Sequence, residues 1–304
     1  MNDPLKRKVH RQTAMTAFLR LKRQEFQAWF GDLMTRCWPD DFLRIRLSQG
    51  DGGLDGYRIS TRTVFQVFAP RDFTGKEMAD KIVGDFQQAA ATTSGEGRAM
   101  AEWVFVHNDP DDFPHEAAVA LAELARNNPD IRFRRWEFTA IWDQVSQLPD
   151  EKLDELFGPA PSLQHLENLQ YPEIIPVVVW LASAEPPDLP PLDLPDPAKL
   201  EYNELSADNA DLVRFGRRRS GTVEGYLDEM PDADRPEAIA QAFRDKYRSL
   251  RDAGMSVDRV FESLWVFTGG EHFAGKPSGL AAVTAVLSYF FERCDIFENV
   301  PDES

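Results

Sequence analysis

Only two cysteines occur in 304 residues, Cys37 and Cys294, far apart and without metal-ligand spacing. That excludes a disulfide framework and a cysteine zinc site, and a cytoplasmic protein with both thiols reduced is expected. Long apolar runs are also missing. No stretch of 18 apolar residues exists, and the longest candidate, Ile174 to Ala184, is too short to span a bilayer. The polar, basic N-terminus has no apolar run behind it, so no secretory signal and no membrane association are expected. The five histidines, His10, His107, His115, His165 and His272, show no ligand spacing. The nearest approach to a phosphate-binding loop is Gly270 with Gly275-Lys276. There Pro277 stands where a Mg²⁺-binding Ser or Thr must be, and no apolar strand leads into the loop. No Gly-x-Ser-x-Gly and no internal repeat appear.

Positive charge is scarce overall. A net charge of −17 argues against a protein that coats nucleic acid generally. The deficit is uneven: residues 1–157 carry 21 basic and 25 acidic side chains, and residues 158–304 carry 13 and 26. The first 47 residues reverse the balance, with ten basic against five acidic. Lys6, Arg7, Lys8, Arg11, Arg20, Lys22 and Arg23 form a basic leading edge. Such a patch on an acidic chain suits phosphate, or is a solvated helix face. Lys8, Arg11, Lys22 and Arg23 are the candidate nucleic-acid contacts.

The chain length suggests two domains, each with a core of its own. Apolar spacing predicts one amphipathic helix over 12–36, stopped by Trp38-Pro39. Strands are expected at 42–47, 56–60, 63–68, 103–107 and 131–136, with helices at 76–91 and 114–126 and two short helices ending near Phe157. The order α-β-β-β-α-β-α-β predicts a meander followed by parallel crossovers, a mixed sheet with helices on both faces. Residues 158–204 are crowded with proline and read as a connector, with Leu189 to Pro197 as a linker and the apolar Ile174 to Leu181 expected to pack onto one of the two domains. Helices are expected at 206–228, 234–253, 256–268 and 277–293. The boundaries are therefore an α/β domain over 1–157, the connector, and an all-α domain over 205–304. The cluster Tyr289, Phe290, Phe291 and Phe297 near the chain end is expected to carry a self-association or partner surface.

The densest chemistry lies in Gly50-Asp51-Gly52-Gly53-Leu54-Asp55-Gly56-Tyr57, followed by Val64-Phe65-Gln66-Val67-Phe68. A glycine-rich turn places Asp55 at the start of one strand, and the next strand presents polar Gln66 between apolar neighbours. Oxygen ligands on adjacent strands can hold a divalent metal beside a phosphodiester. A plain surface hairpin is the competing reading.

This turn and the element order resemble the restriction-endonuclease-like PD-(D/E)XK superfamily, over roughly residues 12–136. The resemblance implies that Asp55 is the metal-binding Asp and that Gln66 fills the Glu or Gln position, with Mg²⁺ or Mn²⁺ as cofactor. It also implies an acidic ligand on the first helix, for which Glu25 is the candidate. The lysine of the pattern falls at Phe68, which cannot serve, and Lys81 on the following helix is the candidate substitute. Glu77 and Lys81, four apart, could instead form a surface pair.

Separately, Phe243-Arg244-Asp245-Lys246-Tyr247 and Ser288-Tyr289-Phe290-Phe291-Glu292-Arg293-Cys294-Asp295-Ile296-Phe297-Glu298 resemble the C-terminal domain of three-component bacterial conflict systems built around an ABC-type ATPase. The two resemblances imply a metal-dependent DNA endonuclease, the effector of an anti-phage or anti-plasmid system. Its expected partners are DNA, an ABC/SMC-type ATPase and an accessory protein, and a homodimer or larger assembly is expected. The alternative is a catalytically degenerate nuclease fold acting as an assembly or DNA-binding adaptor.

Overall fold

A computed structural model describes residues 3–45, 54–94, 99–109, 113–183, 205–232 and 234–293. Gly50 to Gly53, the linker Leu189 to Pro197, Cys294 and Phe297 lie outside the described residues. The chain divides into two units, one of residues 17–152 and one of residues 1–16 with 153–304.

The α/β unit holds a five-stranded mixed sheet of β1 (Phe42–Arg44), β2 (Gly56–Arg58), β3 (Thr63–Phe68), β4 (Glu102–His107) and β5 (Arg132–Trp136), in sequential order. The first three strands are antiparallel neighbours, and β3-β4 and β4-β5 are parallel. Parallel neighbours need crossovers, supplied by α3 (Gly75–Ser94) and α4 (His115–Asn127). The expected element order and mixed sheet are therefore present. Alternation along β3 divides the core. Phe65 meets Phe30, Phe42, Trp38 and Trp136, with ring centroids 5.2–6.1 Å away. Val64, on the other face, joins Met78, Ile82 and Phe86 of α3 with Trp103 and Phe105 of β4. Gly56 is required where it stands: a Cβ there would lie 2.4 Å from the Phe42 ring.

The single helix expected over 12–36 is two, α1 (Pro4–Arg20) and α2 (Arg23–Cys37). Two interactions break it. Asn108 Nδ2 donates to the carbonyls of Phe18 (2.9 Å) and Leu21 (2.5 Å), so the last turn of α1 is capped by a side chain distant in sequence. Arg23 then takes φ +52°, and its N–H donates to the Ala69 carbonyl at 2.6 Å. Helix α5 (Phe138–Val145) and α6 (Asp150–Phe157) follow the sheet.

The helical unit contains α7 (Leu163–Glu167), α8 (Tyr171–Ala182), α9 (Ala207–Arg217), α10 (Ser220–Asp228), α11 (Arg235–Asp252), α12 (Val257–Phe267) and α13 (Pro277–Arg293). Helix α13 is buried without a break from Leu280 to Phe291, so it is the central helix of this unit. That overturns the expected aromatic surface: Tyr289, Phe290 and Phe291 are 7%, 2% and 1% exposed. Three aromatic residues in a row read as a surface only if the helix has a solvent side, and α13 has none over this stretch.

Residues 163–182 are helical rather than extended connector. Pro172 sits at the N-terminal end of α8, where its missing N–H is harmless, and Pro176 removes a single bond from the ladder. Ile174, Val177, Val178 and Leu181 enter the helical core, which repays that loss. The first turns of α1 belong to the same core through Leu5 and Val9, both fully buried. The division at Thr16 and Leu153 thus differs from boundaries drawn on proline content alone.

Candidate functional site

Asp55 immediately precedes β2 and is held at β3 by its own main chain and side chain. Its N–H donates to the Phe65 carbonyl at 2.9 Å, and its Oδ2 accepts from the Val67 N–H at 2.6 Å. It therefore brackets Gln66. Its Oδ1 accepts from Nε2 of Gln27, a half-buried residue of α2.

Gln66 is 1% exposed, and its Oε1 has no hydrogen-bond partner. A buried carbonyl oxygen in that state carries a desolvation cost that a partner would relieve. Asp55 immediately precedes β2, and Gln66 lies in β3, the strand paired with it.

The helix residue expected here was Glu25. It is exposed in the first turn of α2, and the side chain that reaches Asp55 is Gln27. Positions two apart on a helix do not face the same way, so with Gln27 on Asp55, Glu25 is turned aside. Sequence reasoning passed over Gln27 because a neutral amide among Arg, Gln and Glu carries no signal.

Lys81 donates to Asp85 Oδ1 at 2.8 Å one turn along α3, and Asp85 is 5% exposed. Glu77 is not its partner: Glu77 accepts from the N–H and hydroxyl of Thr74 at the start of α3. Phe68 fills the expected lysine position with an aromatic contact, its ring 5.7 Å from Phe105 and 5.4 Å from Phe73.

The four candidate basic residues separate. Lys22 and Arg23 flank the break between α1 and α2. Lys8 and Arg11 belong to the helical unit, where carboxylates already meet them. Lys8 pairs with Asp208 and with Asp211 at 3.0 Å, and Arg11 Nε pairs with Asp208 at 2.7 Å. Lys6 pairs with Asp154 in the same way. Much of the basic leading edge is thus neutralised internally.

His107, at the end of β4, was set aside for lack of ligand spacing. It is 1% exposed, and neither ring nitrogen has a hydrogen-bond partner. Burial, aided by the Arg135 charge, pushes its pKa down to about 4, so the ring is neutral. Burial pushes the Cys37 thiol up to about 12, which leaves it unreactive.

Among the described residues no group of three or more His, Cys, Asp and Glu side chains converges as a metal site. A hard cation such as Mg²⁺ needs less, because it keeps waters and binds through one or two carboxylates plus substrate phosphate. The Asp55 carboxylate and the unpartnered Gln66 oxygen fit such an ion. No helix among the described residues is long and apolar enough to cross a membrane.

Comparison with curated proteins and with solved structures finds no match to the chain. Residues 175–298 match the family model of C-terminal domain 10 of the ABC-three component (ABC-3C) systems. The match begins inside α8, in agreement with the placement of that helix in the helical unit. The C-terminal part of the chain is therefore similar to a C-terminal domain of the ABC-three component systems, which points to a component of such a system.

Proposed function

We propose that the chain is a metal-dependent DNA endonuclease, the effector of an ABC-three component anti-phage or anti-plasmid system, with a restriction-endonuclease-like α/β unit. The observation that carries this reading is the Asp55 carboxylate fixed across β3 from a buried Gln66 whose carbonyl oxygen lacks a partner. The sheet order supports it, since a meander followed by a parallel crossover is what the superfamily resemblance implies. Asp55 and Gln66 would hold Mg²⁺ or Mn²⁺. When bound, such an ion polarises the phosphoryl oxygen and lowers the pKa of attacking water. Lys81 orients or stabilises the reacting group, and Lys22 and Arg23 offer charge to the DNA backbone. The helical unit, similar to a domain of ATPase-containing systems, is the part through which ATPase and accessory partners regulate cleavage. Cutting both strands needs two sites, so a homodimer or larger assembly follows. The test is cleavage of plasmid DNA with Mg²⁺ or Mn²⁺, with and without the ATPase and accessory partners. Metal-dependent cleavage lost in Asp55→Ala supports the reading. An Asp55→Ala protein that cuts like the wild type sinks it.

One observation favours a second reading, a nuclease fold kept as an assembly or DNA-binding adaptor. Phe68 occupies the lysine position and is packed against Phe105 and Phe73. Wild-type protein that binds DNA but cuts none, with every partner present, would favour it.

A further inference from the structure

We propose that Gln27 is a positioning residue: with the Val67 N–H it fixes the Asp55 carboxylate in the orientation that receives a divalent cation. This rests on the endonuclease reading. Two donors from two different elements grip the two oxygens. Gln27 Nε2 of α2 donates to Oδ1, and the β3 main-chain N–H of Val67 donates to Oδ2 at 2.6 Å. A carboxylate turns broadly about its terminal torsion when nothing holds it. Held at both oxygens, it keeps one orientation. The helix itself is well anchored for the task, since Phe26 and Phe30 on either side of Gln27 are 0% and 1% exposed.

The chemistry of the amide matters. It donates a hydrogen bond without carrying charge, so it orients Asp55 and leaves the full negative charge for the ion. A lysine at this position would orient the carboxylate and repel the cation. A glutamate would add a second charge and could not donate the hydrogen bond. Groups that hold a metal-binding side chain from behind are worth about 10–100-fold in metal affinity.

The experiment is Mn²⁺ binding to the full chain, read by electron paramagnetic resonance of free Mn²⁺, alongside melting temperatures. It compares wild type with Asp55→Asn and Gln27→Leu. The expected result is a site in wild type that Asp55→Asn removes and Gln27→Leu weakens about 10–100-fold at unchanged melting temperature. A Gln27→Leu protein with wild-type affinity overturns the positioning role and leaves the Asp55 site standing. Wild type without an Asp55-dependent Mn²⁺ site overturns the endonuclease site itself, and the role of Gln27 with it.

Discussion

Phe68 stands directly opposite His107 in the parallel register of β3 and β4. A lysine introduced at position 68 would therefore displace a ring that packs against Phe105 and Phe73 beside a neutral imidazole. Phe68→Lys is expected to lower stability by about 1–3 kcal/mol, through lost ring packing and a poorly solvated ammonium. It is not expected to raise DNA cleavage, because the surroundings of position 68 are built for a ring. Denaturant unfolding measures the first effect and plasmid cleavage the second. A gain in cleavage would instead show that the missing lysine had silenced the site.

Lys81 needs a paired test. Its partner Asp85 is buried, so Lys81→Ala removes a charged donor from a buried carboxylate and should destabilise the α/β unit by about 1–3 kcal/mol. Lys81→Arg keeps the charge and should keep the melting temperature. If Lys81 acts on the reacting phosphate, Lys81→Arg should lose cleavage in spite of its intact fold. Wild-type cleavage by Lys81→Arg would restrict Lys81 to its pair with Asp85.

These two positions show how far the sequence could be read. The strand order and the parallel crossovers follow from period-two and period-3.6 patterns, which are local. The sequence offers Glu77 as the alternative partner of Lys81, and Asp85, four residues on, is within reach of the same logic. Burial decides between them, and burial depends on which side of α3 meets the sheet. Gln27 and the break at Leu21 were not legible. Each depends on a bond between residues far apart in sequence: Gln27 with Asp55, and Asn108 with the end of α1. Proline content hid the helices in 163–182, although the packing of Ile174 to Leu181 was expected from their apolar character.

Glu262 of α12 sets a pH dependence in the helical unit. Burial pushes its carboxyl up to about 8, against the lowering effects of Arg11 and Arg259 and with a further rise from Asp258. A carboxyl raised above its ordinary value of 4.5 favours the folded state in its protonated form. That stability is fully present below about pH 4.5 and is lost as pH rises through about 8. Glu262→Gln should therefore flatten the curve and raise the melting temperature more at pH 8 than at pH 5. Calorimetry at the two pH values checks it, and an equal shift at both would contradict the assignment.

Gly216 lets α9 lie close to α13. A Cβ there would fall 2.1 Å from Ser288 Oγ and 2.3 Å from the Thr284 carbonyl oxygen. Gly216→Ala should cost about 1–3 kcal/mol, since the helices must separate to admit one methyl group. Gly221→Ala, where nothing lies within 4 Å, is the control and should be neutral or slightly stabilising. Urea unfolding of the two variants separates local helix propensity from helix–helix packing.

Deleting residues 1–16 should destabilise the helical unit rather than the α/β unit. Leu5 and Val9 are fully buried in its core, and each contributes about 1.5–3 kcal/mol of burial. Hydrogen exchange followed helix by helix would report the loss in α7 to α13. Weakened protection confined to the sheet would contradict the division at Thr16.

The interruption of the helical unit by residues 17–152 sets an order of events during synthesis. The α/β unit is one continuous stretch and can close as soon as Lys152 has left the ribosome. The opening sixteen residues, already outside, must wait for α13 before Leu5 and Val9 find their core. That wait spans nearly the whole chain, and the closure entropy of so long a separation falls entirely on the last step. The unit that holds the residues similar to the C-terminal domain of the ABC-three component systems is thus completed after the unit that carries Asp55.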